Sequence, residues 1–192
     1  MNYQDYIWDL GGTLLDNYET STAAFVHTLQ DFGLTASHDE VYKALKVSTE
    51  YAVRQFAPRN KEFLKAYKAN EAKELEHPIL FEGASELLAQ IIQQGGRNFL
   101  ISHRDDQVLE ILQKTQINAY FTEVVTATNG FKRKPDPESM LYLKDKYQIE
   151  SGLVIGDRPI DIEAGQAAGF SCYLFDNMRN LEEFVDIELE KE

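Results

Sequence analysis

LVIGDRPIDIEAGQAAGFSCYLF, residues 153–175, reads as strand, helix and strand in succession. Leu153 to Gly156 is a short apolar run, Ile160 to Ala168 has helical spacing, and Phe170 to Phe175 is apolar again. The same alternation extends upstream. Pro137 to Tyr147 reads as a helix, Phe121 to Ala127 contains the β-rich run FTEVVTA, and Asp105 to Thr115 is helical. Before them come a strand from Arg97 to Ser102 and a helix from Ala84 to Gln94 that Gly95-Gly96 ends. Alternation of this kind predicts a doubly wound, mostly parallel, Rossmann-like sheet.

One strand stands apart. Residues 4–9 read as a short strand around the apolar Tyr6, Ile7 and Trp8, and from Tyr18 to about Glu76 the pattern is helical with no strand candidate. Ala24, Phe25, Thr28, Leu29 and Phe32 recur at helix spacing, and Gly33 stops that helix. Ser37 is a plausible N-cap for a second helix carrying Val41, Ala44 and Leu45. Two more helical segments are split near Pro58, and Pro78 closes the region. The expected organisation is therefore an α/β core, residues 1–15 and 80–192, with a small all-helical insertion, residues 16–79.

Composition limits the function. The 192 residues suffice for one core plus a small accessory domain, and the 43% hydrophobic content suits a water-soluble chain. No apolar run is long enough to span a bilayer, and MNYQDYIWDLGG lacks the basic and apolar segments of a secretory signal. Cys172 is the single cysteine, so no internal disulfide or cysteine metal cage can form. These features predict a cytoplasmic protein with no membrane partner. The formal net charge of −13 argues against a nucleic-acid partner, which would require a basic surface. Part of that acidity lies in Glu182, Glu183, Asp186, Glu188, Glu190 and Glu192, read as a solvated helix face or a frayed end.

Asp9 is the first residue that the fold alone does not explain. It follows the apolar Tyr6, Ile7 and Trp8, and a carboxylate at the end of a buried strand is costly unless something pairs with it. Ligands in open α/β sheets bind beyond the carboxyl ends of the strands. Asp9, Ser102 and Asp157 all stand at or just past such ends and are expected to converge.

Four segments carry a resemblance: DLGGT at 9–13, LISHR at 100–104, KRKPDPE at 132–138 and GDRPIDIEAGQAAG at 156–169. In this order, each at its place in the alternation, they resemble the motifs of the haloacid dehalogenase-like hydrolases. The similarity is to the helical-cap subgroup that includes phosphoglycolate phosphatases. The resemblance implies that Asp9 is a nucleophile forming an aspartyl-phosphate. It implies a Mg²⁺ site from Asp9, Asp157, Asp161 and the backbone carbonyl of Gly11. Ser102 and Lys134 would hold the phosphate oxygens, and Gly12 and Thr13 would turn backbone N–H groups inward. Lys132 and Arg133 compete with Lys134 for its role; K-P-D-P matches the family pattern. Each residue also has an ordinary reading: Ser102 as a helix N-cap, Lys134 as a loop lysine, Asp157 with Asp161 as a capped turn.

Gly11 departs from the family pattern. Phosphatases and phosphomutases of the family carry an aspartate there, which protonates the leaving alcohol and then activates water. Glycine does neither. Dehalogenases carry a tyrosine at this position, and phosphonatases an alanine together with a cap lysine, for which Lys43 and Lys46 are the candidates. The resemblance therefore implies a Mg²⁺-dependent phosphohydrolase with a substitute acid, or one limited to good leaving groups. The alternatives are a C–P or C–halogen hydrolase, or an impaired relative that binds a phosphorylated ligand or partner. His103, beside Ser102, could be the substitute acid or could simply start the next helix near Asp105. The LKVST segment at 45–49 falls between cap helices, so Lys46 or Ser48 could touch a substrate; the ordinary readings are a solvent lysine and an N-cap serine. The expected partner is a small phosphorylated metabolite, and the expected state a monomer or weak homodimer.

Overall fold

The computed structural model describes residues 3–74 and 76–189, with side chains through residue 185. The chain divides into two compact units, Met1–Leu15 with Leu80–Glu192, and Asp16–Ile79.

The first unit is built on a five-stranded parallel sheet. Its strands are β1 (Asp5–Trp8), β2 (Arg97–Ile101), β3 (Phe121–Val125), β4 (Gly152–Gly156) and β5 (Ser171–Leu174). Their spatial order is β3-β2-β1-β4-β5, and every neighbouring pair is parallel. The order reverses between β1 and β4. Trp8 lies opposite both Leu100 and Ile155, so Asp9 emerges at this reversal. A crevice outside the strand ends at such a point is where these sheets bind ligands.

Alternation along β1 divides the core. Tyr6 and Trp8 pack with Leu100, Leu153 and Ile155 under α5 (Ala84–Gln93), α6 (Gln107–Lys114) and α9 (Met178–Leu189). Ile7 joins Phe99, Ile101 and Val154 on the other face, under α7 (Glu138–Tyr147) and α8 (Pro159–Ala167). Full burial of each large side chain contributes roughly 1.5–3 kcal/mol. Trp8 and Asn98 pair their polar groups inside this core. The Trp8 indole donates to Asn98 Oδ1 at 2.9 Å, and Asn98 Nδ2 donates to the Leu88 carbonyl at 3.1 Å.

Among its described residues the second unit holds four helices, α1 (Asn17–Asp31), α2 (His38–Val47), α3 (Thr49–Phe56) and α4 (Phe63–Glu74). Phe25 is their centre, with the Phe63 and Tyr67 rings each 4.9 Å away, edge to face. Ser37 caps α2 in a capping box with Glu40.

Two details differ from the sequence reading. β3 stops at Val125 because Thr126 caps a 3-10 turn, Ala127–Asn129, its hydroxyl accepting the Thr128 N–H. β5 starts at Ser171, one residue later than expected. In the acidic tail, Glu183 lies on the solvent face of α9, whose other side buries Met178, Leu181 and Val185 in the sheet core. The Asp186 and Glu188 side chains, and Glu190 and Glu192 entirely, lie outside the described residues. No helix among the described residues is long and apolar enough to cross a membrane.

Candidate active site

The carboxyl ends of β1 and β4 bring three carboxylates together. Asp9, Asp157 and Asp161 each offer an oxygen, and these oxygens all lie within 4.8 Å of one another. Asp9 is held by its backbone, whose N–H donates to the Ile155 carbonyl at 2.9 Å. Asp161 sits in the first turn of α8, and its Oδ2 accepts the Arg158 N–H at 3.1 Å. That bond is the capped turn of the ordinary reading, and it fixes the carboxylate within the cluster.

Two glycines make room for the cluster. A Cβ on Gly12, where φ is +85°, would stand 2.4 Å from Asp157 Oδ2. A Cβ on Gly156 would stand 2.4 Å from the Asp161 Cβ. Glycine at 12 supplies a left-handed turn as well as the space.

Lys134 is the cation inside. Its Nζ lies 2.6 Å from Asp9 Oδ1, forms an ion pair with Asp161 Oδ1, and is within 3.5 Å of the Ile101 carbonyl. Its side chain is 1% exposed, whereas that of Lys132 is 72% exposed and that of Arg133 also faces solvent. One ammonium cannot balance three carboxylates. Burial pushes the Asp9 carboxyl above its ordinary value, and Lys134 pulls it back. Asp157 is pushed up to about 6, by burial first and then by Asp9 and Asp161. Asp161 Oδ1 is fully buried, with Lys134 as an ion-pair neighbour but with no hydrogen bond. An all-oxygen set whose negative charge exceeds that of the single ammonium fits a hard divalent cation.

The other expected residues are placed as follows. Ser102 lies just past β2, buried, and its Oγ accepts the Arg104 N–H at 3.2 Å. Thr13 is fully buried, and its hydroxyl points at Asp157 Oδ1 from 3.5 Å. Gly11 is half-buried and bridges to Leu15. His103 Nε2 accepts the Lys134 N–H at 2.8 Å, an arrangement neither sequence reading of that histidine anticipated. Burial, then Lys134, Arg133 and Arg158, lower its pKa to about 4. A neutral imidazole is a far weaker proton donor than an imidazolium, and this bears directly on the expectation of His103 as a substitute acid.

In the helical unit, Lys46 is exposed, its Nζ 5.0 Å from the centre of the Tyr42 ring and 5.8 Å from that of Tyr18. Ser48 Oγ accepts the Tyr51 N–H at 3.0 Å and caps α3, which is the ordinary reading of that serine. Arg158 had no assigned role in the sequence reading. Its positive charge acts on Asp9 and Asp157, and the signal available was its place inside GDRPID.

Comparison with known proteins gives a consistent result. Residues 6–175 match the family model described as haloacid dehalogenase-like hydrolase. The chain is 29% identical over 189 residues to a phosphoglycolate phosphatase of Aliivibrio fischeri, covering 88% of this chain and 81% of that protein. It is 25% identical over 179 residues to the pyrophosphatase PpaX of Oceanobacillus iheyensis, covering 88% of this chain and 81% of that one. A crystal structure of a hydrolase from Streptococcus pneumoniae TIGR4 is 70% identical, with a TM-score of 0.94 over 97% of this chain and 100% of that one.

Proposed function

The chain belongs to the haloacid dehalogenase-like hydrolases, and on that premise we propose that it is a Mg²⁺-dependent phosphohydrolase of a small phosphorylated metabolite. The observation that carries this reading is the buried Lys134 ammonium set between Asp9 and Asp161, with Asp157 alongside. Relatives that bear the names phosphoglycolate phosphatase and pyrophosphatase support the choice of a phosphoryl substrate.

In this reading Asp9 attacks phosphorus through one carboxylate oxygen, the bond to the leaving oxygen breaks, and an aspartyl-phosphate forms. Lys134 neutralises phosphate charge beside the nucleophile, and the Ser102 hydroxyl donates a hydrogen bond to a phosphate oxygen. Water then attacks the same phosphorus, which frees phosphate and restores Asp9. Asp9, Asp157 and Asp161, with the Gly11 carbonyl, would hold Mg²⁺. When bound, that ion supplies the positive charge that lets two anions approach.

Gly11 sets the scope of this chemistry. With no acid at this position and a neutral imidazole at His103, the leaving oxygen departs without a proton. Aryl phosphates and phosphoanhydrides suit that limit, because their leaving groups are stable anions near neutral pH. Simple alkyl phosphates do not. A phosphate-release screen with Mg²⁺ across small anhydrides, aryl phosphates and alkyl phosphates tests the reading. Release from none of them would favour the ligand-binding alternative.

Metal dependence carries a pH signature. Asp157 must lose its proton before it can bind a cation, so apparent Mg²⁺ affinity should fall as pH drops below about 6. The decline should approach tenfold per pH unit. The sign follows from a carboxyl pKa raised by folding. In the cation-free protein that group favours the folded state at low pH, and the contribution is lost as pH rises through about 6. Calorimetric Mg²⁺ titrations from pH 5 to 8, with EDTA-stripped protein as the start, read both the affinity and the released proton. Affinity flat across that range would remove Asp157 from the ligand set.

We assign substrate choice to the helical unit. Lys46→Ala should raise KM for the best metabolite several-fold and leave aryl phosphate turnover within about twofold, since a bare phosphate group makes no use of a distal lysine. Equal kinetics for the variant and the parent on both substrates would return Lys46 to a solvent lysine that packs on Tyr42.

A further inference from the structure

We propose that His103 is a positioning residue, whose imidazole accepts the Lys134 backbone N–H and so fixes where the phosphate-binding ammonium stands. Lys134 lies in the segment between β3 and α7, outside the sheet ladder. The side-chain acceptor of its amide is His103 Nε2, at 2.8 Å. His103 itself follows Ser102 at the end of β2, so the bond ties the lysine segment to the strand that presents the serine hydroxyl. An ammonium on a four-carbon stem is mobile unless its root is held. Anchoring the root at His103 and the head between Asp9 and Asp161 leaves little freedom between them.

The chemistry of the ring assigns its proton. A neutral imidazole has one donor nitrogen and one acceptor nitrogen. Two donors face it: the Lys134 N–H at Nε2, and Arg133 Nε at 3.2 Å from Nδ1. Only one of them can be accepted. The Lys134 amide belongs to the backbone and is the closer, whereas the Arg133 side chain is exposed and free to turn away. Nε2 is therefore the acceptor and Nδ1 carries the hydrogen. Burial and the cations around the ring hold it in this neutral form down to about pH 4. A protonated ring would have no lone pair to offer.

The kinetic part of the test rests on the proposed phosphatase reading; the spectroscopic part does not. Long-range ¹H–¹⁵N NMR of the wild-type protein should show a neutral ring protonated at Nδ1. The Lys134 amide proton should lie downfield, move upfield in His103→Leu, and return in His103→Gln, whose Oε1 accepts at a similar reach. With an aryl phosphate, kcat/KM should fall between about threefold and tenfold in His103→Leu and recover in His103→Gln. Alkyl phosphates should show the same ratio. A ring protonated at Nε2, or an amide shift unmoved in His103→Leu, would overturn the proposal. So would a glutamine variant no better than leucine at equal melting temperature, or a loss confined to alkyl phosphates, the mark of a proton donor. A wild-type protein without phosphatase activity would defeat the functional reading and leave the two NMR readouts to decide this one.

Discussion

Asp9→Asn is expected to lower hydrolysis of an aryl phosphate by more than about a thousandfold at saturating Mg²⁺. An amide oxygen is a poor nucleophile, so the two-step route through an aspartyl-phosphate closes. An aryl phosphate is the fair substrate, because its leaving group needs no proton and the step that involves Asp9 is then the one observed. Two other causes of lost activity can be separated. Unfolding is not expected, since Lys134 keeps Asp161 as a partner and asparagine has nearly the same shape. Weaker cation binding is expected, since one carboxylate of the cluster becomes neutral; titrating Mg²⁺ to saturation removes that contribution. Activity that persists undiminished, with a normal melting temperature, would exclude the aspartyl-phosphate route.

Much of the fold was legible because parallel strands buried on both faces read as short apolar runs. Tyr6, Ile7 and Trp8 show this, and so do Leu153, Val154 and Ile155. The helical insertion was legible from the apolar spacing of Ala24, Phe25 and Leu29, which the structure places in one core. What the sequence could not show was which face of a mixed segment turns inward. Met178, Leu181 and Val185 stand among acids, and the structure places all three in the core while Glu183 faces solvent. The candidate site divides in the same way. That Asp9 and Asp157 would converge followed from their positions at strand ends. The choice of Lys134 over Lys132 and Arg133 rested on a pattern, since three adjacent basic residues look alike in composition. Only tertiary packing buries one of them between two carboxylates and leaves the others in solvent. The His103 contact with Lys134 spans 31 positions, between two loops whose approach no local periodicity encodes.

Gly11→Asp is expected to raise kcat/KM for an alkyl phosphate by about 10²- to 10⁴-fold while changing that for an aryl phosphate little, the range that general acid–base catalysis supplies. A carboxyl group two residues past Asp9 would join Asp9, Asp157 and Asp161, already crowded enough to push Asp157 up to about 6. Like charges raise its pKa in turn, so near neutral pH an appreciable fraction carries the proton that an alkoxide leaving group requires. The new group then acts as acid in the first step, which kcat/KM reports, and, once ionised, as base toward water in the second, which is common to both substrates and lies outside kcat/KM. The turn's left-handed position falls at Gly12, where φ is +85° and a Cβ would strike Asp157. Because that glycine is retained, the variant keeps the turn. The added charge disfavours the cation-free fold, so melting temperature should drop without Mg²⁺ and recover with it. Steady-state kinetics on matched alkyl and aryl phosphates, with competitive inhibition of one by the other to show that both bind, give the ratio directly. An alkyl rate unchanged in a folded variant that binds the alkyl ester would mean that another group already delivers the proton, and that Gly11 does not limit the leaving group.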